Sequence, residues 1–298
     1  MPAGKVRDGV LRGELRALGR ADRITAVRRP AGGVIAGTWL ITYANGTSVS
    51  GKTLAGAAPG LFRIEAGGLA ALRATGHLAT PQVLAVTGRL LLLEALAARD
   101  DSERSGEAFD RDLAAAHRGT TGDRFGWHHD GYLGRLRLVS TWIASGHEFF
   151  AGHRLPRYLS EPAAGQALTA VGRRAVERLC PACPRSSRSC PPSWPTATCG
   201  QLTQPAQPDG RIAVIDPAIS CAWAEADLSM LWCCPARQPP GGSSGLYHEL
   251  NRSPPGWARS HAPAAPPRTA QRHRPLQPHR RQHRPAGPPH PHPLSTRA

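Results

Sequence analysis

Between residues 251 and 298 the sequence has no acidic residue and no lysine, yet it has nine arginines. That stretch holds +9 of the formal net charge of +16, which leaves +7 (28 basic minus 21 acidic residues) on the remainder. Aromatic residues are also scarce, at 5%. No apolar run is long enough to span a bilayer and there is no signal-type hydrophobic region, so no membrane class is expected and the cytoplasm is the default compartment. The seven cysteines are an odd number crowded between Cys180 and Cys234, which argues against a disulfide framework. Against these shortages stand 29 prolines, 32 glycines and a 40% hydrophobic share, enough core for one large or two modest domains.

The stretch that orders the rest is Gly210 to Ala218. Ile212-Ala213-Val214-Ile215 reads as a short buried strand, and Asp209-Gly210 before it reads as a hairpin turn. Asp216 then stands before Pro217, which cannot continue a strand. A carboxylate at the end of a buried strand is well placed to hold a metal ion against a phosphate chain. Such aspartates also cap and turn chains, so Asp216 needs its context.

Upstream, the apolar spacing predicts a helix over 4–20. Strands are predicted at Ile24 to Val27, Val34 to Tyr43 and Ser48 to Leu54, with turns at Gly32-Gly33 and Asn45-Gly46. The last of these strands carries Lys52. Phe62 to Thr75 reads as a helix with Glu65 near its start, followed by strands at Gln82 to Val86 and Arg89 to Leu93. The set is ordered as a nucleotide site requires. Gly32 and Gly33 let backbone approach phosphate oxygens, Lys52 supplies positive charge, and Glu65 pins Lys52. Leu93-Glu94-Ala95-Leu96 supplies a linker backbone for adenine. Any small β-sheet domain also holds a glycine turn, a lysine and a glutamate, so spacing alone leaves both readings open.

A polar stretch (Arg99 to Gly106) and a helix over Glu107 to His117 lead into Phe125-Gly126-Trp127-His128-His129-Asp130-Gly131-Tyr132-Leu133-Gly134. Trp142, Glu148-Phe149-Phe150 and Arg154-Leu155 follow. Together with Leu61 to Leu69, Ile215 to Ala218 and Glu225 to Leu231, these motifs resemble the fructosamine kinase (ketosamine kinase) family. The resemblance covers roughly residues 10–175 and 208–231. It implies an α+β, two-lobed protein-kinase-like fold, with a small β-meander lobe and a helical lobe. The divisions would be 1–96 for the nucleotide-binding lobe, 97–260 for the substrate lobe with 180–208 aberrant, and 261–298 for the basic tail. It also implies ATP and Mg²⁺, and as substrate a ketosamine small molecule or a glycated protein. Lys52 would contact phosphates with Glu65 as its partner, Leu93 to Leu96 would border adenine, Asp216 would hold Mg²⁺ and Asp227 would brace the catalytic loop. The sequence departs from the family where Gly51 precedes Lys52 and where Val34 follows Gly33.

A larger departure lies between Cys180 and Pro208, where the family has His-Gly-Asp-Leu-Trp-x-x-Asn. Here there is no histidine and no acid until Asp209, so the general-base step has no agent. The spacing of Cys180, Cys183, Cys190 and Cys199 lacks the second close pair of a zinc site. The genetic code offers a different account. Pro195-Thr196-Ala197-Thr198-Cys199-Gly200 is encoded CCN ACN GCN ACN TGY GGN, and the third-base frame reads NAC, NGC, NAC, NTG, YGG. Those codons admit His-Gly-Asp-Leu-Trp in order, and the shifted Asp falls in the family's register with Asp216. Leu246 to Asn251 and Pro254 to Trp257 resemble the family's late segment in frame. Beyond His261 the chain is too poor in apolar residues to fold and is expected to be disordered. The implied outcome is a family member whose translated chain is inactive. The alternative is a non-catalytic, degenerate kinase-like protein whose tail binds nucleic acid, although the tail lacks interleaved aromatics. Sequencing the coding DNA across 176–209 should show bases at Pro195 to Gly200 that spell His-Gly-Asp-Leu-Trp in the shifted frame. Any other spelling removes the frame-shift account.

Overall fold

The computed structural model describes residues 3–30, 36–98, 100, 102–186, 206–233 and 245–251. All belong to one compact unit, Met1–Ala262, and the second unit, Pro263–Ala298, lies outside the described residues together with the tail expected to be disordered.

The chain begins with helix α1 (Ala3–Ala17) and strands β1 (Ile24–Arg28), β2 (Gly37–Tyr43) and β3 (Ser48–Thr53). Helix α2 (Leu61–Ala74), β4 (Val83–Val86) and β5 (Leu90–Glu94) follow. The five strands form one antiparallel sheet in the order β1-β2-β3-β5-β4, the predicted meander with its last hairpin folded in beside β3. Asn45-Gly46 makes the predicted turn, the Gly46 N–H donating to the Tyr43 carbonyl at 2.9 Å.

Strand β5 reads Leu-Leu-Leu-Leu-Glu because both of its faces are covered. Leu90 and Leu92 join Leu11 and Leu15 of α1 in one cluster, while Leu91 and Leu93 join Phe62 and Leu69 of α2 in another. Each such fully buried leucine contributes about 1.5–3 kcal/mol. Gly51 explains itself on the α1 face, since a Cβ there would lie 3.3 Å from Ile41 Cδ1 and 3.4 Å from Leu11 Cδ1. The missing side chain lets α1 lie close against the sheet.

The helical part opens with α3 (Glu103–Gly119), which starts earlier than the apolar spacing indicated. Ser102 caps it, its Oγ accepting from the Ser105 N–H at 3.2 Å and satisfying one orphan donor of the first turn. A two-stranded hairpin, β6 (Gly131–Leu133) and β7 (Leu136–Leu138), precedes α4 (Gly146–Phe149), α5 (Pro162–Ala167), α6 (Ala170–Ser186), α7 (Glu225–Cys233) and α8 (Gly245–Leu250). Ile212 and Val214 sit in the core with Leu113, Leu228 and Tyr247. Of the strand predicted over Ile212 to Ile215, Ile212, Ala213 and Val214 are buried as expected, but the run joins no ladder. It makes single bridges from Ile212 to Ala206 and from Ala213 to Ala79, because its two sides meet different segments. The hairpin turn before it is present, with Gln207 donating to Arg211 O and Gly210 to Gln207 O, both at 2.9 Å.

The buried face of α3 carries polar groups as well. His117 Nδ1 lies 2.7 Å from the Tyr247 hydroxyl of α8, and Nε2 lies 3.0 Å from Asp227 Oδ2 of α7. Two turns earlier Asp110 is 3% exposed. Burial pushes its carboxyl up to about 6, opposed by the Tyr247 backbone N–H and helped by Glu107. The six-residue α8 is thus held on α3 at both ends of one helical face.

Two stability tests follow from this packing. A Cβ on Gly68 of α2 would meet Pro217 Cγ at 2.9 Å, whereas one on Gly67 would meet nothing within 4 Å. Gly68→Ala should therefore lose about 1–3 kcal/mol in a denaturant titration. Gly67→Ala should gain about 0.5–1 kcal/mol in the same assay from helix propensity. For Asp110 the folded carboxyl holds its proton more tightly than an unfolded aspartate at 3.8, so stability falls as pH rises between that value and about 6. Asp110→Asn should abolish that fall, leaving a variant more stable than wild type above about pH 6 and little changed near the unfolded value, read by urea unfolding across the range.

Candidate functional site

Side chains alternate across a strand, so with Gly51 facing α1, Lys52 faces α2 on the other side of the sheet. Pairing places Lys52 opposite Thr38 of β2 and Leu91 of β5, in the middle of the sheet. The residue is 6% exposed. An ammonium taken this far from water needs opposite charge. Two carboxylates supply it. Nζ donates to Glu65 Oε1 of α2 at 2.6 Å, and also to Asp216 Oδ1.

Helix α2 aims Glu65 correctly because Phe62 and Leu69, three residues before and four after it, lie in the core and fix its rotation. Asp216 reaches the same ammonium from the other part of the molecule. Its backbone is in the left-handed region (φ 54), which is uncommon for any residue but glycine. Strain of this kind costs about 1–3 kcal/mol and persists only where the surroundings impose it. Here they do: Val214 N–H donates to Ala79 O at 2.8 Å on one side of Asp216. On the other side Pro217 is seated against Gly68, one helical turn from Glu65.

The predicted residues therefore divide. Lys52, Glu65 and Asp216 meet in one ion-paired group. Leu93 and Glu94 end β5, with Leu93 buried in the cluster beneath α2. Ala95 and Leu96 lead to Ala97, which exchanges backbone bonds of 2.8 and 3.0 Å with Ala206. The linker is thereby joined to the hairpin that delivers Asp216. Gly32, Gly33 and the segment 195–200 lie outside the described residues. So do Cys190, Cys199 and the Cys183 side chain, while Cys180 and Cys221 are free thiols. Burial pushes the Cys221 thiol up to about 11, keeping it protonated and inert. Among the described residues no group of three or more His, Cys, Asp or Glu could hold a metal, and no helix is long and apolar enough to cross a membrane.

A magnesium ion bound with a nucleotide needs less than such a cage, because one or two carboxylates plus phosphate oxygens and water suffice. Asp216 meets that requirement with a hard oxygen donor on a side chain 26% exposed. Two carboxylates on one ammonium also leave a net negative charge for a cation to balance. Three contributors escaped the sequence reading. Gly68 receives Pro217, and His117 with Tyr247 fixes Asp227. A histidine among the apolar residues of the buried α3 face was the available signal for the last two.

The family model for fructosamine kinase matches residues 14–240. A Thermobifida fusca structure assigned as a fructosamine-3-kinase is 30% identical with a TM-score of 0.68, over 80% of this chain and 83% of its own. A second such structure, from Haemophilus somnus, is 23% identical with a TM-score of 0.67, over 84% and 83%. The protein of a gentamicin-APH(2")-IIa complex shares the fold alone, at 12% identity and a TM-score of 0.50 over 84% and 83%. No curated protein matches the chain significantly. With a family model matched across most of its length, and a sheet lobe and helical lobe arranged as in kinase-like phosphotransferases, the chain belongs to the fructosamine kinase family.

Proposed function

We propose that this chain binds ATP with Mg²⁺ in the manner of a ketosamine kinase, and that as translated it lacks the means to complete phosphoryl transfer. The observation that carries the reading is the buried Lys52 held between Glu65 and Asp216. Residues 1–96 act as the nucleotide lobe and 97–260 as the substrate lobe, with 261–298 a basic tail. Lys52 places positive charge against the phosphates while Glu65 keeps its ammonium aimed at them. Gly32 and Gly33 bring backbone close to the same phosphates, and Leu93 to Leu96 offer backbone to the adenine. Asp216 holds the Mg²⁺, which when bound neutralises charge on the β- and γ-phosphates. Asp227, fixed by His117, braces the loop that would carry the base.

The acceptor in this reading is a sugar-derived hydroxyl of a fructosamine or ribulosamine, free or on a glycated protein. Transfer to it needs a carboxylate to take the hydroxyl proton. Pro195-Thr196-Ala197-Thr198-Cys199-Gly200 has none, and neither does any other position from Cys180 to Pro208. The chain should therefore bind nucleotide without turning over.

Calorimetry with ATP and Mg²⁺ tests the binding half. Lys52→Ala should weaken ATP roughly tenfold or more, as expected for loss of a charged hydrogen bond worth about 1.5–3 kcal/mol. Equal affinity in wild type and variant would show that Lys52 is not the phosphate contact. Phosphate incorporation into fructosyl-lysine tests the other half. The chain as written should give none, and a chain with the shifted segments restored should give turnover that Asp216→Asn abolishes. Turnover by the unaltered chain overturns the inactivity claim.

A further inference from the structure

The run Phe125-Gly126-Trp127-His128 and the later Trp142 take no part in the ion-paired site, yet they form one built cluster. Phe125 and Ile143 exchange backbone bonds of 2.7 and 2.8 Å, and the Trp127 N–H donates to Ser140 O at 2.8 Å. Gly126, at φ 128, lies so close to the opposing strand that a Cβ would sit 2.6 Å from the Thr141 carbonyl oxygen. Only glycine permits this approach. The consequence is that Trp127 and Trp142 stand together, their ring centroids 6.4 Å apart. His128 closes the group edge-on, 5.1 Å from Trp127 and 5.4 Å from Trp142.

Neighbouring aromatics are used differently. Phe125, Phe149, Phe150 and Trp223 pack against one another around a buried cluster, with Phe150 and Trp223 stacked at 4.6 Å. Trp127 backs onto the main core, but His128 is exposed and Trp142 is half-buried, so the second cluster reaches the surface. Its chemistry is already on display. The Arg124 guanidinium lies 5.5 Å from the Trp142 ring centroid, held by the ring quadrupole. Arg124 is 57% exposed, so a better-placed cation can displace it.

The cluster is also tied to the chain segment that carries Asp216. Gly126 and Cys221 exchange backbone bonds of 3.0 and 2.7 Å, and Cys221 is five residues beyond Asp216. Five residues of chain span at most about 18 Å. The ring cluster and Asp216 are therefore borne by adjoining stretches of the fold.

We infer that Trp127, His128 and Trp142 form the acceptor subsite of this chain, taking a secondary ammonium together with its attached sugar. This rests on the phosphotransferase reading above. The Trp142 ring receives the ammonium in place of Arg124. Carbon-bound faces of the sugar lie against Trp127, and the His128 ring nitrogens hydrogen-bond its hydroxyls.

Calorimetry on the full chain with fructosyl-lysine, and with lysine as the sugar-free control, tests this. Fructosyl-lysine should bind more tightly than lysine. Trp142→Ala should weaken it roughly tenfold, while Trp142→Phe, which keeps an aromatic face, should stay within about threefold. Arg124→Ala should tighten it severalfold by freeing the ring, a gain that a merely structural role for the cluster would not produce. ATP affinity serves as the fold control and should be unchanged in all three variants. Equal fructosyl-lysine affinity in Trp142→Ala and wild type overturns the subsite. So does ATP binding by a wild-type chain that ignores fructosyl-lysine. Trp142-dependent fructosyl-lysine binding without ATP binding supports the subsite and overturns the nucleotide reading instead.

Discussion

A single ammonium, that of Lys52, sits in a sheet interior where an unpaired charge would cost several kcal/mol, and the molecule supplies two carboxylates to keep it there. One carboxylate comes from α2 and the other from the segment that follows the hairpin at Gly210. The pairing therefore joins the sheet lobe to the helical lobe through charge. Several unrelated features depend on it. The leucines of β5 bury both faces of the sheet, which leaves the lysine only 6% exposed. Gly68 has no side chain where Pro217 must sit. Asp216 accepts a left-handed backbone to bring its carboxylate round.

Beneath this site the helical lobe is held by a second, quieter set of polar contacts. His117 is bonded at both ring nitrogens, to Tyr247 and to Asp227, and Asp110 lies on the same buried face. These groups turn the short α8 into a fixed part of the lobe, since a six-residue helix has little stability of its own. The Asp227 carboxylate is consequently held in one orientation. The amino acids from Cys180 to Pro208 contain no carboxylate for it to support.

Much of this was legible before any coordinates. Period-two and period-3.6 patterns placed the sheet strands and α1, α2 and α3, because those elements bury one face or stripe against a continuous partner. Asn45-Gly46 and Asp209-Gly210 marked their turns for local steric reasons. Lys52 and Glu65 could be named from the order of glycine turn, strand lysine and helix glutamate that a nucleotide site requires, and Asp216 as a carboxylate at the end of a buried strand. Ile212 to Ile215 misled in one respect. A run of β-branched residues shows burial, but whether it joins a ladder depends on what lies on either side, and here two different segments do.

Sequence by itself determined the composition of the site, the elements that bear it, the lack of any histidine or acid between Cys180 and Pro208 and the basic character of the tail. These follow from residue type and from spacing along the chain. Tertiary structure alone decided that Lys52 bonds Glu65 and Asp216 at once, that His117 lies between Tyr247 and Asp227, and that Trp127, His128 and Trp142 share one surface. Lys52 and Asp216 are separated by 164 residues and His117 and Tyr247 by 130, so no local pattern couples them. Their meeting is fixed by which faces the helices and strands bury, and burial is a property of the packed whole.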